Sequence, residues 1–183
     1  LHIHATDPSP VESAGINIVS INDDIDGQDR SAFTPTDMGA DAGNFVISDI
    51  SVPVISFTPL NITCNTGDRT LIATITDASG LPVSGILRPR IYYRKNAGAY
   101  FSSPGVLTSG TATNGTWTFT ILSADMGGIA NPDVISYFVI AQDIAITPNI
   151  ISSPAAGLVA TDVNNVSVPP TTPNSYTIKN TLV

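Results

Sequence analysis

The strongest constraint on the fold is a pair of segments in which apolar and polar side chains alternate. In "TWTFTI", residues 116–121, every second residue is large and apolar and the others are threonines. Because successive side chains of a strand point to opposite faces, this period of two predicts a strand with one face in a core and the other in water. The segment "TLIATIT", residues 70–76, repeats the pattern with Ile72 as its single exception. Such strands are typical of an antiparallel sheet packed on one face.

Further strands and regularly spaced turns extend this pattern along the chain. "PRIYYRK" at 89–95 and "VISYFVIAQD" at 134–143 predict two more strands, and the second is apolar on both faces, which places it in the centre of a sheet. Turn residues separate the strands, as in "TNG" at 113–115 and "GGIANPD" at 127–133. The chain has two lysines and one glutamate, so strong helix formers are scarce. The sequence therefore predicts an all-β antiparallel β-sandwich.

Proline shapes the expectation for residues 144–183. Five prolines in this region disfavour central strands, so we expect most of it to run extended over the surface. The segment "SYTIK", at 175–179, predicts a last strand, and "SADM", at 123–126, predicts the one helical turn of the chain.

Charge divides the chain into two unequal parts. Residues 1–44 contain eight acids and one base, a net charge of −7, whereas residues 45–183 contain seven acids and six bases, a net charge of −1. We therefore expect a boundary near Asn44, with an Asp-rich, loop-rich segment before it that has too little apolar surface to fold alone. The total charge of −8 argues against nucleic acid or an anionic membrane as a partner. No segment approaches the roughly 20 apolar residues that span a bilayer, so membrane insertion is not expected.

Six aspartates at residues 22–43 raise the question of a metal site. Aligned as a calcium-binding loop, Asn22, Asp24 and Asp26 occupy positions that supply oxygen ligands. The pattern then breaks, because Phe33 stands where such a loop has its bidentate glutamate. One interpretation is a structural calcium ion, the only cofactor that the sequence suggests. The other is a set of Asx turns, in which aspartates accept hydrogen bonds from nearby backbone NH groups and Arg30 is the counter-ion.

Aromatic residues give a second kind of candidate site. Trp117 and Phe119 alternate with threonine and are expected in the core. Other aromatic residues lie near arginines in the sequence, and aromatic rings of this kind can stack on sugars. The predicted sugar-binding platform consists of Tyr92, Tyr100, Phe101, Arg90 and Arg94. The competing interpretation is that these side chains only pack on the strand faces.

The residues that support catalysis are scarce. Glu12 is the single glutamate, and the only histidines, His2 and His4, are one ligand short of a typical zinc site. No G-x-S-x-G motif occurs, and Cys64 has no second cysteine for an internal disulfide. We predict that the chain is not an enzyme.

The Asp-rich segment also resembles a known family pattern. Asp24, Asp26, Gly27 and Arg30, followed by "DMGAD" at 37–41, are similar to the segment D-x-D-G-x-x-R…D-I-G-A-[DE]. That segment ends right-handed parallel β-helix domains in large secreted bacterial surface proteins and polysaccharide-lyase-like proteins. Met38 stands where isoleucine is commoner in the pattern. The strands that follow resemble the immunoglobulin-like or fibronectin-III-like modules that come after such β-helices.

The resemblance implies a fold, a location and a role. It implies a β-helix end or cap over residues 1–44, followed by an immunoglobulin-like β-sandwich with a Pro-rich C-terminal extension over residues 45–183. Proteins of this kind are typically exported to the bacterial cell surface, often by the type IX route. The expected function is a non-catalytic structural or adhesion module that spaces or caps an upstream domain of the same polypeptide. The alternative is a carbohydrate-binding accessory module of a polysaccharide-degrading protein, with a polysaccharide or cell-surface glycan as its partner.

Overall fold

A computed structural model describes residues 3, 8–16, 18–33 and 36–181, which form mainly strands, turns and loops. The chain divides into two compact units. Unit 1 comprises residues 1–50 and 145–147, and unit 2 comprises residues 51–144 and 148–183. The division follows Ile50, whereas the charge pattern placed a boundary near Asn44.

Unit 1 contains little regular structure. Its two short strands, β1 (Pro8–Ser9) and β2 (Val46–Ile47), pair in parallel. A single 3₁₀ turn, Arg30–Ala32, begins after Asp29, whose side chain accepts a hydrogen bond from the Ser31 backbone NH. The rest of the described part of unit 1 is loops.

Unit 2 is an antiparallel β-sandwich. Its strands are β3 (Val54–Ser56), β4 (Arg69–Thr76), β5 (Arg90–Lys95), β6 (Phe101–Pro104), β7 (Val106–Gly110), β8 (Asn114–Ile121), β9 (Val134–Gln142), β10 (Ile150–Ser153), β11 (Val159–Asp162), β12 (Asn165–Val168) and β13 (Asn174–Thr177). One sheet has the order β3-β4-β8-β7, and the other has the order β10-β9-β5-β6, with β13 also paired to β9. The predicted all-β sandwich is confirmed in this unit. None of the helices in the described ranges is long and apolar enough to cross a membrane.

The core between the two sheets follows from the alternation of β4 and β8. Trp117 and Phe119 are fully buried, and Ile72, the exception in the sequence pattern, is 61% exposed. The predicted central strand is β9, which pairs with β5 on one side and with β10 and β13 on the other. The predicted helical turn at 123–126 corresponds to a 3₁₀ turn, Ala124–Met126.

The chain crosses from one sheet to the other at Gly105. Strand β6 pairs with β5, and β7, which begins one residue after Gly105, pairs with β8 in the opposite sheet. The Gly105 NH donates a hydrogen bond to the Pro89 carbonyl at 2.7 Å. A Cβ atom at Gly105 would lie 2.5 Å from a ring carbon of Phe119, so the crossing needs a residue without a side chain.

The first and last strands of unit 2, β3 and β13, meet the flanking chain at opposite ends of the sandwich. At the first end, Val54 opens β3 and pairs with Thr76, where β4 finishes. At the other end, Thr177 finishes β13 and pairs with Val134, where β9 begins. Beyond that pair, Thr63 forms a parallel bridge to Ile178, with hydrogen bonds from the Thr63 NH to the Thr177 carbonyl and from the Lys179 NH to the Thr63 carbonyl.

Residues 144–183 contribute four short strands, of which the sequence predicted only the last. The prolines lie between these strands and not within them: Pro148 and Pro154 flank β10, and Pro173 directly precedes β13. Strands β11 and β12 form an antiparallel hairpin. Side chains from this hairpin form a second small core with β9 and β5, which covers part of the outer face of that sheet.

Candidate functional site

The acidic cluster of unit 1 contains two of the three predicted residues. Asp24, Asp26 and Asp41 each place a carboxylate oxygen within 4.8 Å of the other two. The backbone carbonyl of Asn22 accepts a hydrogen bond from the Arg30 NH at 2.8 Å. Asp41, seventeen residues after Asp24, has no place in a local loop alignment. Calcium binding here stays a prediction.

The Asp24 carboxylate already accepts hydrogen bonds from three backbone NH groups. Its Oδ1 accepts from the NH groups of Asp26 at 2.9 Å and Gln28 at 2.8 Å, and its Oδ2 accepts from the Ala42 NH at 3.3 Å. The Gln28 hydrogen bond is the largest cause of a lowered pKa at Asp24. Asp29 accepts from Ser31 in the same manner. These contacts are the Asx-turn geometry that the second interpretation predicted.

Asp37 holds more distant loops of unit 1 together. It is 2% exposed, and its carboxylate accepts from the Ser13 NH at 2.8 Å and from the Gly43 NH at 2.9 Å. Arg30 donates to the Asp37 backbone carbonyl at 3.0 Å. The acidic side chains of this unit therefore have a structural role in binding backbone donors. His2 and His4, the two histidines considered as metal ligands, lie outside the described residues.

The predicted sugar-binding platform is divided between the two faces of its sheet. Arg90, Tyr92 and Arg94 alternate along β5 and share the outer face. Phe101 pairs with the buried Tyr93 and therefore lies on the inner side, at the margin of the sheet. Phe101 is 39% exposed.

The tyrosine rings of the outer face pack against protein. Tyr92 stacks on Phe138, with ring centroids 5.1 Å apart, and its hydroxyl donates to the Val163 carbonyl at 3.0 Å. Tyr100 contacts the edge of Phe138, with centroids 5.4 Å apart, and the Arg94 guanidinium lies 4.7 Å from the Tyr100 ring centre. Burial raises the pKa of both tyrosines. These rings therefore attach the C-terminal hairpin to the sheet.

A pocket lies beside this cluster, around Arg90. Its volume is about 400 Å³, within the range of small-molecule sites. Three parts of unit 2 form its walls: the loop before β5, the cross-strand pair of Arg90 on β5 and Pro104 on β6, and the turn between β11 and β12. We call it the arginine pocket, and its lining residues are Gly85, Ile86, Leu87, Arg88, Arg90, Pro104, Asp162, Asn164 and Asn165.

Hydrogen bonds within the turn fix the polar side of the arginine pocket. Asp162 Oδ1 accepts from the backbone NH groups of Asn164 at 2.6 Å and Asn165 at 3.1 Å, and its other oxygen accepts from the Asn165 side chain. The Asn165 side chain is the main cause of a lowered pKa at Asp162, so the carboxyl is ionised at neutral pH. The Asn164 side chain donates to the Ile86 carbonyl at 3.1 Å, which ties the turn to the loop across the pocket.

The two arginines of the pocket keep free donors. Arg88 donates through Nε to the Gly85 carbonyl at 3.0 Å, and its Nη atoms make no hydrogen bond with any other described residue. The Arg90 side chain makes no hydrogen bond in the described part of the chain, and its Nε is buried. The Asp162 carboxylate attracts the Arg90 guanidinium electrostatically, without a direct hydrogen bond. The pocket therefore has two guanidinium groups and one carboxylate that is already bound.

Arg90 is the member of the predicted platform that lines the arginine pocket, and the other lining residues were not predicted from the sequence. Asn164 contacts Ile86, 78 residues earlier, and no local pattern links such distant positions. The sequence does contain one indication of the turn between β11 and β12. In "TDVNN", at 161–165, an aspartate precedes two asparagines, which is typical of a tight turn.

Comparisons with protein-family models, with curated proteins and with solved structures find no match. The residues themselves therefore carry what can be inferred about function.

Proposed function

We propose that this chain is a non-catalytic spacer and adhesion module of a larger exported bacterial surface protein. The observation that carries the proposal is the placement of the two chain ends of unit 2 at opposite ends of its sandwich. A module built in this way adds its full length to any chain that runs through it. An eight-residue strand such as β4 spans about 25 Å at ~3.3 Å per residue.

The terminal strands of unit 2 suit a load-bearing role. Tension along the chain pulls β3 and β13 along their own length, and each is paired with a longer central strand. Hydrogen bonds loaded in this direction must break together, which resists separation better than breaking one after another. The Thr63–Ile178 bridge adds two hydrogen bonds beside the exit strand.

An immunoglobulin-like identity for unit 2 is part of the proposal. The order β3-β4-β8-β7 against β6-β5-β9-β10 is the two-sheet arrangement that such modules use, with one sheet of A-B-E-D type and one of C-F-G type. The alternation of inward apolar and outward polar residues on β4 and β8 also agrees with it.

Unit 1 would cap an upstream coil of a parallel β-helix. Its support is the parallel pairing of β1 with β2 over a connection of 36 residues, since parallel pairing between successive turns is the rule in such helices. A groove of about 570 Å³ in this unit is lined by exposed apolar residues, among them Ile16, Ile18, Ile21 and Met38. An upstream coil would bury these side chains.

Single-molecule force spectroscopy on the full chain, held at its two ends, tests the spacer role. The wild-type chain should show a cooperative unfolding step for unit 2. Lys179→Pro removes the NH that donates to the Thr63 carbonyl at 2.8 Å and should lower the force of that step. Lys179→Ala keeps the NH and should leave the force unchanged. Equal forces for the proline variant and the wild type would rule out the proposed load path.

A further inference from the structure

We propose that the arginine pocket binds a carboxylate-bearing sugar residue, such as a uronate unit of an acidic polysaccharide. The inference rests on the pocket of unit 2 and does not depend on the spacer role. The pocket shares only Arg90 with the predicted platform. It excludes the tyrosine rings, because these are packed on Phe138.

The unused donors of Arg88 and Arg90 define the charge of the ligand. The Nη donors of Arg88 and Arg90 have no acceptor in the described part of the chain, and both side chains line the pocket, so a ligand with acceptor oxygens can bind them. Planar guanidinium groups match carboxylates in a two-bond arrangement. Asp162 already accepts three hydrogen bonds from Asn164 and Asn165 and makes none with Arg88 or Arg90 in the described part of the chain, so the guanidinium donors stay open to a ligand.

The other residues that line the pocket indicate that the uncharged part of the ligand is a sugar ring. The amide nitrogens of Asn164 and Asn165 already donate to Ile86 and Asp162, so it is their side-chain carbonyl oxygens that suit hydroxyl donors. Ile86, Leu87 and Pro104 present apolar surface suited to the CH face of a sugar ring. A bare phosphate or sulfate ion would use the arginines but would leave the apolar side without a contact. At about 400 Å³ the pocket accommodates one sugar unit, and the 78% exposure of Ile86 at its rim leaves room for a continuing chain.

The distribution of charge permits an acidic ligand despite the net charge of −8. Residues 1–44 carry −7 of that total, so residues 45–183 are close to neutral. Arg88, Arg90 and Arg94 are three of the six bases after residue 44 and lie within seven residues of one another. At physiological salt the screening length is about 8 Å, so charges beyond that distance from the pocket repel the ligand only weakly.

NMR titration of the full chain with trigalacturonate tests the inference, with the side-chain amide signals of Asn164 and Asn165 as local probes. We expect saturable shifts of these signals, and at least about a tenfold weaker affinity for the fully methyl-esterified trimer, which lacks the charge. Arg90→Gln and Arg88→Gln should each weaken binding by a similar factor. Arg94→Gln is the matched control, because Arg94 shares the outer sheet face but contacts Tyr100 outside the pocket.

Three results would overturn the inference. The first is the absence of shifts with trigalacturonate at millimolar concentration. The second is equal affinity for the esterified trimer or in the Arg90→Gln variant, provided that thermal unfolding shows the variant to be folded. The third is inorganic phosphate or sulfate binding as tightly as trigalacturonate, which would define an anion site without sugar recognition.

Discussion

Tyr92 and Phe138 lie face to face on the outer side of the five-stranded sheet, with ring centroids 5.1 Å apart and ring planes 2° from parallel. Phe138 is fully buried although it points away from the main core. The C-terminal hairpin covers it, and the Tyr92 hydroxyl binds the backbone of that hairpin at Val163. One stacked pair therefore joins the sheet to the element that completes the arginine pocket.

Phe138→Ala should destabilise the chain by about 3–5 kcal/mol and release the hairpin, because a large buried ring is replaced by a cavity. Urea unfolding followed by Trp117 fluorescence gives the free energy, and amide hydrogen exchange over residues 159–168 reports the hairpin. Phe101→Ala is the control, since Phe101 is 39% exposed at the sheet margin and should cost clearly less. Unchanged exchange in the hairpin of Phe138→Ala would contradict the role given to the stacked pair.

Gly105→Ala should cost about 1–3 kcal/mol, since the added methyl group overlaps the Phe119 ring where the chain changes sheets. Thermal unfolding checks this change. Gly67→Ala serves for comparison, because its Cβ would meet only the Asn65 side chain at 3.3 Å in an exposed loop. A Gly105→Ala protein as stable as the wild type would mean that the crossing tolerates a side chain.

Stability should fall as the pH rises from about 10 to 12. Burial raises the pKa of Tyr176 from 10.0 to about 12. The unfolded chain loses this proton near pH 10 while the folded chain keeps it. The stabilising contribution is therefore complete below pH 10 and is lost as the pH approaches the folded pKa. Urea midpoints at pH 8 and pH 11 measure the effect, and Tyr176→Phe should reduce the difference between them.

Tyr137→Phe provides the contrast for that experiment. The Tyr137 hydroxyl accepts a hydrogen bond from the Leu60 NH at 2.7 Å, so its removal should already lower the midpoint at pH 8. If Tyr176→Phe shows the same alkaline loss as the wild type, Tyr176 is not the group responsible.

Asp24→Ala should speed hydrogen exchange at the NH groups of Asp26 and Gln28, which lose their acceptor. Asp24→Asn keeps an acceptor oxygen and should show a smaller effect, while Asp23→Asn tests the general effect of removing one charge nearby. Because the pKa of Asp24 is lowered from 3.8, its contribution is present above that value and is lost as the pH falls below it. NMR exchange rates at pH 6 in EDTA would contradict the Asx-turn role if all three variants matched the wild type.

Ile16→Asp should reduce self-association of the chain. Ile16 is 87% exposed beside other apolar side chains of the unit 1 groove, and such surfaces associate in water. Sedimentation velocity at increasing concentration measures the change, with Ile72→Asp, on the solvent face of β4, as a control for added charge. A wild-type chain that stays monomeric at high concentration would weaken the case that an upstream coil covers the groove.

The sequence-based predictions were accurate where the interactions join residues that are close in sequence, and they failed where the interactions join distant residues. Alternation is local and correctly predicted β4 and β8, and an apolar run on both faces, also local, correctly predicted the central β9. The C-terminal hairpin was missed because its strands are short and its burial depends on Phe138, which lies more than twenty residues earlier. Arg90 was predicted as a site residue from its neighbours in sequence, but the residues that line the pocket with it, Asp162 and Asn164, come from a turn that only the folded chain brings near.

The polar side of the arginine pocket is supplied by an appended hairpin whose two strands pair only with each other. The sandwich core between the sheets contains none of its side chains. Replacement of the turn at residues 161–165 would therefore change which ligand is recognised while the core stays intact. The hairpin makes this chain a scaffold in which specificity can diversify, or be grafted, independently of the fold that carries it.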